Sequence, residues 1–161
     1  MDHSEHAHLK TMKLQLGCGE NRLDGWTNFD YDLDVTKLPL PFPDNSAEIV
    51  LLEHIGEHIT THQLLYLLDD IRRILQPGGT LRLIMPVLNK LKPDHARDMI
   101  LGHGHQSAWT PELIAFFIRA AGFPESDIRL TDRREDVDGH YKIIGKEKDD
   151  LESARLEATK A

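Results

Sequence analysis

Residues 48–85 leave few folds open. In the run Glu48-Ile49-Val50-Leu51-Leu52, every residue after the first is apolar. That is the pattern of a strand covered on both faces of a sheet. Thr60 or Thr61 can then cap a helix. Its apolar stripe is Leu64, Leu68, Ile71 and Leu75, with Leu67 and Ile74 beside it. Pro77-Gly78-Gly79 stops that helix, and residues 80–85 form another strand. Strand, helix, turn and strand in this order make a βαβ unit, and hence a parallel sheet.

A second signal lies nearer the N-terminus. Leu14 and Leu16 alternate with polar residues, as in a strand over residues 12–16, which ends in Gly17-Cys18-Gly19. Glycine there takes positive φ and has no Cβ to hold a ligand off the backbone. In an open α/β sheet, ligands bind at the carboxyl ends of the strands. A second strand over residues 26–30 ends in Asp30. Only about ten residues separate the two, close to the minimum for a parallel crossover. No helix fits between Asp30 and Asp34 either, so the early crossover helices are shortened or missing. Pro39, Pro41, Pro43, Asp44 and Asn45 make a turn-rich loop.

After the βαβ unit, residues 86–109 form a long segment with a short helix around 95–101. Long connections in compact domains are often binding loops or lids. Thr110-Pro111-Glu112 starts a further helix, with Leu113, Phe116, Phe117 and Ala120 as its buried face. Gly122 ends it, and Pro124 prevents its resumption. Residues 128–131 and 141–145 read as two final strands in an antiparallel hairpin. The expected fold is therefore α/β: a compact Rossmann-like, mostly parallel sheet with a C-terminal antiparallel hairpin. Residues 1–11, with His3, His6 and His8, read as a mobile tail. Residues 12–146 form one domain, and residues 147–161 a charged tail or frayed helix.

Composition narrows the function. The chain has 161 residues, 40% hydrophobic and 29% charged, with a formal net charge of −8. That balance argues against a broad nucleic-acid surface, which needs basic patches. No apolar run reaches membrane-span length, and the N-terminus has no signal-peptide pattern. Cys18 is the single cysteine, which excludes an intrachain disulfide. Together these features point to a cytoplasmic protein.

Several motifs then appear in a recognisable order. They are Leu14-Gln15-Leu16-Gly17-Cys18-Gly19, Gly25-Trp26-Thr27-Asn28-Phe29-Asp30 and Leu40-Pro41-Phe42-Pro43-Asp44-Asn45-Ser46. Glu53-His54-Ile55-Gly56-Glu57-His58, the helix running into Pro77-Gly78-Gly79, and Trp109-Thr110-Pro111-Glu112-Leu113 follow. With these motifs the chain resembles small class I S-adenosylmethionine-dependent methyltransferases, most of all the compact bacterial group related to the type 11 domains. The resemblance implies S-adenosyl-L-methionine as cofactor. It places Leu16, Gly17, Cys18 and Gly19 along its methionine and ribose part and Asp30 on the ribose hydroxyls. It places Asp34 near the adenine, with Glu53 and His54 flanking. It also implies a methyltransferase acting on a small molecule or a glycan or lipid precursor. The chain departs from the pattern at Gln15, where an acid is usual, and at Asn21, in place of a third glycine. With the shortened crossovers, this reduced cleft suits a partner chain that completes it. It also keeps open a non-catalytic cofactor-binding or scaffold member that regulates a partner.

Methyl transfer from a sulfonium is an in-line displacement with a good leaving group, so positioning can carry much of the rate. A base is needed only where the acceptor must lose a proton. His103 and His105, in the long segment, are the candidate catalytic residues, and His140 is a further possible base. His54-Ile55-Gly56-Glu57-His58 also fits His-x-x-Glu-His, which would make the chain a zinc hydrolase. Such sites need both histidines on one helical face. Gly56 and the preceding strand argue for a loop instead, so no metal site is expected. Cys18 reads as a small buried residue of the ligand loop. Trp26 and Trp109 read as packing residues, and Arg72-Arg73 as a solvated helix face.

Overall fold

The computed structural model describes residues 11–92, 102, 104–130 and 153–161. Strands β1 (Met12–Leu16), β2 (Thr27–Phe29) and β3 (Ala47–Glu53) follow one another with no helix among the residues between them. The early crossovers are thus reduced to turns, as the spacing requires. Helix α1 (Thr61–Ile74) comes next, then β4 (Leu75–Pro86) and helix α2 (Pro111–Ala120). Two strands complete the described fold, β5 (Ile128–Leu130) and β6 (Ser153–Thr159). The six strands form one sheet in the order β2-β1-β3-β4-β6-β5. The first four run parallel, and β6 lies antiparallel between β4 and β5.

Both helix starts are written locally. The Thr60 side chain accepts from the Gln63 N–H while Gln63 reaches back to the Thr60 backbone, a complete capping box. Thr110 caps α2, whose first residue is Pro111. Leu64, Leu67, Leu68, Ile71 and Ile74 on α1 pack with Ile114 and Ile118 on α2. They cover the sheet face made by Leu14, Leu16, Val50, Leu52, Leu81, Leu83 and Met85. On the other face Leu23, Leu51 and Ile84 form a smaller cluster with Trp26.

Three expectations are corrected. The charged end is not all tail: Ser153–Thr159 is β6, buried through residue 158. Its charges alternate with Ala154, Leu156 and Ala158, a period of two that residue counting hides. Arg155 and Glu157 turn to the second face, where Arg82 Nε donates to Glu157 Oε1 at 2.9 Å. The expected partner strand at 141–145 lies outside the described residues; among these, β5 pairs with β6. Pro77-Gly78-Gly79 falls inside β4, because α1 already ends at Ile74. The buried face of α2 is Ile114 and Ile118, whereas Leu113 and Phe116 are 39% and 52% exposed. The aromatic side chains suggested the wrong phase; only Phe117 turns partly inward, edge-on to the fully buried Trp109 at 5.0 Å.

The arginine pair is not simply solvated. Arg73 donates to Asp70 at 2.6 Å, Phe42 O at 2.9 Å, Asp44 at 2.7 Å and Leu40 O at 3.1 Å. It thereby clamps the proline-rich loop to α1. Arg72 Nε donates to Ala121 O at 2.9 Å, tying the end of α2 to α1.

Candidate cofactor and acceptor site

Register alone assembles the centre of the site. Leu16 stands opposite Phe29 on one side and Leu52 on the other. The next residue of each strand is therefore a neighbour: Asp30, Gly17 and Glu53 line up at the carboxyl edge. The chain leaves β1 for β2 on one side and returns to β3 on the other. Ligands bind at this kind of topological switch point.

The turn after β1 is built for close approach. Gly17 has φ 76° and Gly19 φ 51°. The backbone N–H groups of Gly17 and Cys18 both donate to Phe29 O, at 2.8 and 3.0 Å. A Cβ on Gly17 would lie 2.4 Å from Ile55 Cδ1, so the loop after β3 packs on this turn. Above Gly19 no atom lies within 4 Å of where a Cβ would sit, leaving room for a ligand on bare backbone. Cys18 is buried, and burial pushes its thiol up. Arg22 opposes that shift, while the nearby carboxylates of Asp30 and Asp32 add to it. The Asp30 N–H donates to Asp32 Oδ1 at 2.8 Å, and the Asp30 carboxylate accepts no hydrogen bond from the described residues. Open backbone beside an uncommitted, half-buried carboxylate fits a sulfonium nucleoside with paired ribose hydroxyls.

Asp34 is engaged differently. Its Oδ1 accepts from the Thr36 N–H at 3.0 Å and the Thr36 hydroxyl at 2.7 Å. Those bonds hold its carboxyl below the usual range. The side chain is exposed and serves its own turn. Glu53 ends β3. His54 then takes φ 51°, a left-handed conformation uncommon outside glycine, and its N–H donates to Ile84 O at 2.9 Å. The chain thus bends sharply into a short 3-10 turn, Gly56–His58. His54, Glu57 and His58 lie on a strand end and this turn, ahead of α1 rather than on a helix.

The turn holds a group that the sequence reading left unused. Glu57 is 1% exposed, and its Oε1 lies 3.2 Å from His54 Nδ1 and 4.0 Å from His58 Nε2. Residues 105–109 are sewn onto it. Gln106 N–H donates to Glu57 O and Gln106 Nε2 to His58 O, each at 2.7 Å. Ser107 Oγ donates to Gly56 O at 3.3 Å and accepts from Trp109 Nε1 at 2.7 Å. His105 meets His58 edge-on, ring centroids 4.7 Å apart. Pro86, Leu88, Leu91, His105, Ser107 and Trp109 line a groove at the carboxyl end of β4. His103 and His140, and the expected short helix at 95–101, lie outside the described residues. The only sequence signal for Glu57 and His58 was His-x-x-Glu-His; nothing in it pointed to His105 as their neighbour.

Residues 27–83 match the family model described as a methyltransferase domain. No curated protein matches the chain. Among solved structures it is similar to an S-adenosylmethionine-dependent methyltransferase from Archaeoglobus fulgidus, with 14% identity and a TM-score of 0.64, over 93% of this chain and 86% of that one. It is also similar to Haemonchus contortus phosphoethanolamine N-methyltransferase 2 in complex with S-adenosyl-L-methionine, with 16% identity and a TM-score of 0.64. That match covers 93% of this chain and 48% of the other, so this chain spans about half that enzyme's length. A third similar structure is the complex between the Haloferax volcanii Trm112 methyltransferase activator and a methyltransferase, with 12% identity and a TM-score of 0.61, over 93% and 82% of the two chains. At these identities the structures speak for the fold, and the family model for residues 27–83 alone. The chain is thus similar to S-adenosylmethionine-dependent methyltransferases in fold, and over residues 27–83 it matches a methyltransferase domain, with the glycine turn at the switch point of its sheet.

Proposed function

We propose that the chain transfers the methyl group of S-adenosyl-L-methionine to a small molecule or a glycan or lipid precursor held in the groove beside His105. The observation that carries this reading is the alignment of Gly17, Asp30 and Glu53 on three adjacent strand ends. Leu16, Gly17, Cys18 and Gly19 would hold the methionine and ribose part, Asp30 the ribose hydroxyls, and Glu53 and His54 the flank towards the acceptor. The cofactor supplies the electrophilic methyl and the leaving group; the protein's part is to fix the angle of attack. The groove adjoins this edge, because β3 and β4 pair with Glu53 opposite Ile84. An acceptor lying there meets His105 first. Calorimetry with S-adenosylhomocysteine tests the cofactor half of the reading: one site per chain is expected, weakened by about 1–3 kcal/mol in Asp30→Ala.

A second reading has its own support. No helix among the described residues separates β1 from β3, and Tyr31, next to Asp30, is 99% exposed. A partner chain laid over Tyr31 would complete the cleft, and the chain alone would then bind cofactor without turning over. The similar methyltransferase in complex with an activator is a precedent for such an arrangement. Turnover by the isolated chain with any acceptor excludes this reading.

A further inference from the structure

We infer that Glu57, His58 and His105 form a binding site for one divalent transition-metal ion of the zinc class. Each residue offers one ligand atom, and these atoms lie within 4.8 Å of one another. Zinc bonds of ~2.0–2.1 Å put tetrahedral ligand atoms roughly 3.4 Å apart. Rotation of two partly exposed imidazoles closes that difference. Two imidazoles and a carboxylate are a donor set that suits zinc, and three protein ligands leave one position open.

A second observation points the same way. The Glu57 side chain is 2% exposed, and its Oε2 has no hydrogen-bond partner among the described residues. A buried carboxyl oxygen left unpaired is costly, and a cation between it and the two imidazoles removes that cost. His54 Nδ1, 3.2 Å from Glu57 Oε1, orients the carboxylate from behind, as outer-shell groups at metal sites do. The ligand set is not the one the His-x-x-Glu-His spacing suggested. His54 becomes a supporting residue, and the third ligand comes from the segment that follows β4 in the chain.

The ion would pin residues 105–107 to the turn after β3. Its open position would face the groove, where an acceptor oxygen could coordinate and become more acidic. That role rests on the methyl-transfer reading; metal binding itself does not.

The test uses the untagged full-length chain, stripped with a chelator and titrated with Zn2+ by calorimetry and with Co2+ by visible spectroscopy. One equivalent is expected, with the intense ligand-field bands of tetrahedral Co2+. His58→Gln and His105→Gln should each abolish it, and His54→Ala should weaken it about 10–100-fold. A variant with His3, His6 and His8 all changed to Ala should keep it. Circular dichroism confirms that each variant is folded, and the two glutamine changes fall on partly exposed side chains. Failure to take up an equivalent overturns the site. So does uptake unchanged in both glutamine variants, or uptake lost with the N-terminal histidines. Loss of methyl transfer with metal binding intact would instead count against the functional reading alone.

Discussion

Lys160 and Asn45 are joined by a 2.7 Å hydrogen bond from Nζ to Oδ1. The same ammonium donates to Leu75 O at 2.7 Å. The Lys160 N–H donates to Gly79 O at 2.9 Å, and its carbonyl accepts from the Gly78 N–H at 2.8 Å. The C-terminal residues thus lock β6 onto the Pro77-Gly78-Gly79 stretch of β4.

Deletion of residues 153–161 should therefore unfold the domain rather than trim it. The cut exposes the edge of β4 and leaves Arg82 without Glu157. Lys160→Ala should cost about 1.5–3 kcal/mol, the range for hydrogen bonds from a charged donor. Circular dichroism and thermal unfolding measure both. A truncated chain with native stability would show that β6 is dispensable.

Gly17→Ala should abolish cofactor binding and lower stability. The added Cβ meets Ile55 at 2.4 Å, and the left-handed backbone costs a further ~1–2 kcal/mol. Gly19→Ala meets nothing within 4 Å and carries only the same left-handed backbone cost, at φ 51°, so it should destabilise less than Gly17→Ala while still weakening affinity for S-adenosylhomocysteine. Calorimetry beside thermal melts separates the two. Equal behaviour of the two variants in both assays would mean that the turn does not hold the ligand.

Arg73→Ala should destabilise by about 2–3 kcal/mol, below the full cost of breaking a buried pair because Arg73 is partly exposed. The change leaves Asp70, 9% exposed, without its strongest partner. Arg73→Lys should recover little, since one ammonium cannot reproduce a fork that contacts four oxygens. Urea unfolding of the three proteins is the measurement.

Cys18 should alkylate more slowly than a free thiol at mildly alkaline pH, because burial lifts its pKa above the ordinary range. The folded pKa lies above the unfolded one, so this group's stabilising contribution is complete below the unfolded value. It is lost as pH rises through the folded value. Alkylation followed by mass spectrometry from pH 7 to about 10 reads the shift. A rate equal to that of a short cysteine peptide would contradict the burial.

His105→Ala should lower turnover while leaving affinity for S-adenosylhomocysteine nearly unchanged, since His105 lines the groove beside β4 and not the glycine turn. A matched loss in both would move His105 to the cofactor side.

What the sequence determined by itself is local. The capping threonines Thr60 and Thr110, the apolar stripe of α1, the unbroken apolar core of β3 and the glycines after β1 each act over a few residues. Period and cap chemistry therefore revealed them, and with them the parallel half of the sheet. The absence of early crossover helices was legible because only about ten residues lie between β1 and β2, and a proline-rich, turn-forming stretch leads into β3. Tertiary structure decided the rest. The charges of β6 look like a solvated tail until Arg82 and Glu157 are seen to pair across two strands far apart in the chain. The phase of α2 was misread because Leu113 and Phe116 are as apolar as Ile114 and Ile118, and only the packing partner chooses between them. Arg73 has no local signature, since its acceptors are loop carbonyls that folding brings to it. The meeting of Glu57, His58 and His105 depends on the groove segment crossing back over the turn after β3. Periodicity describes a residue's own element; which element will face it is settled only when the sheet forms.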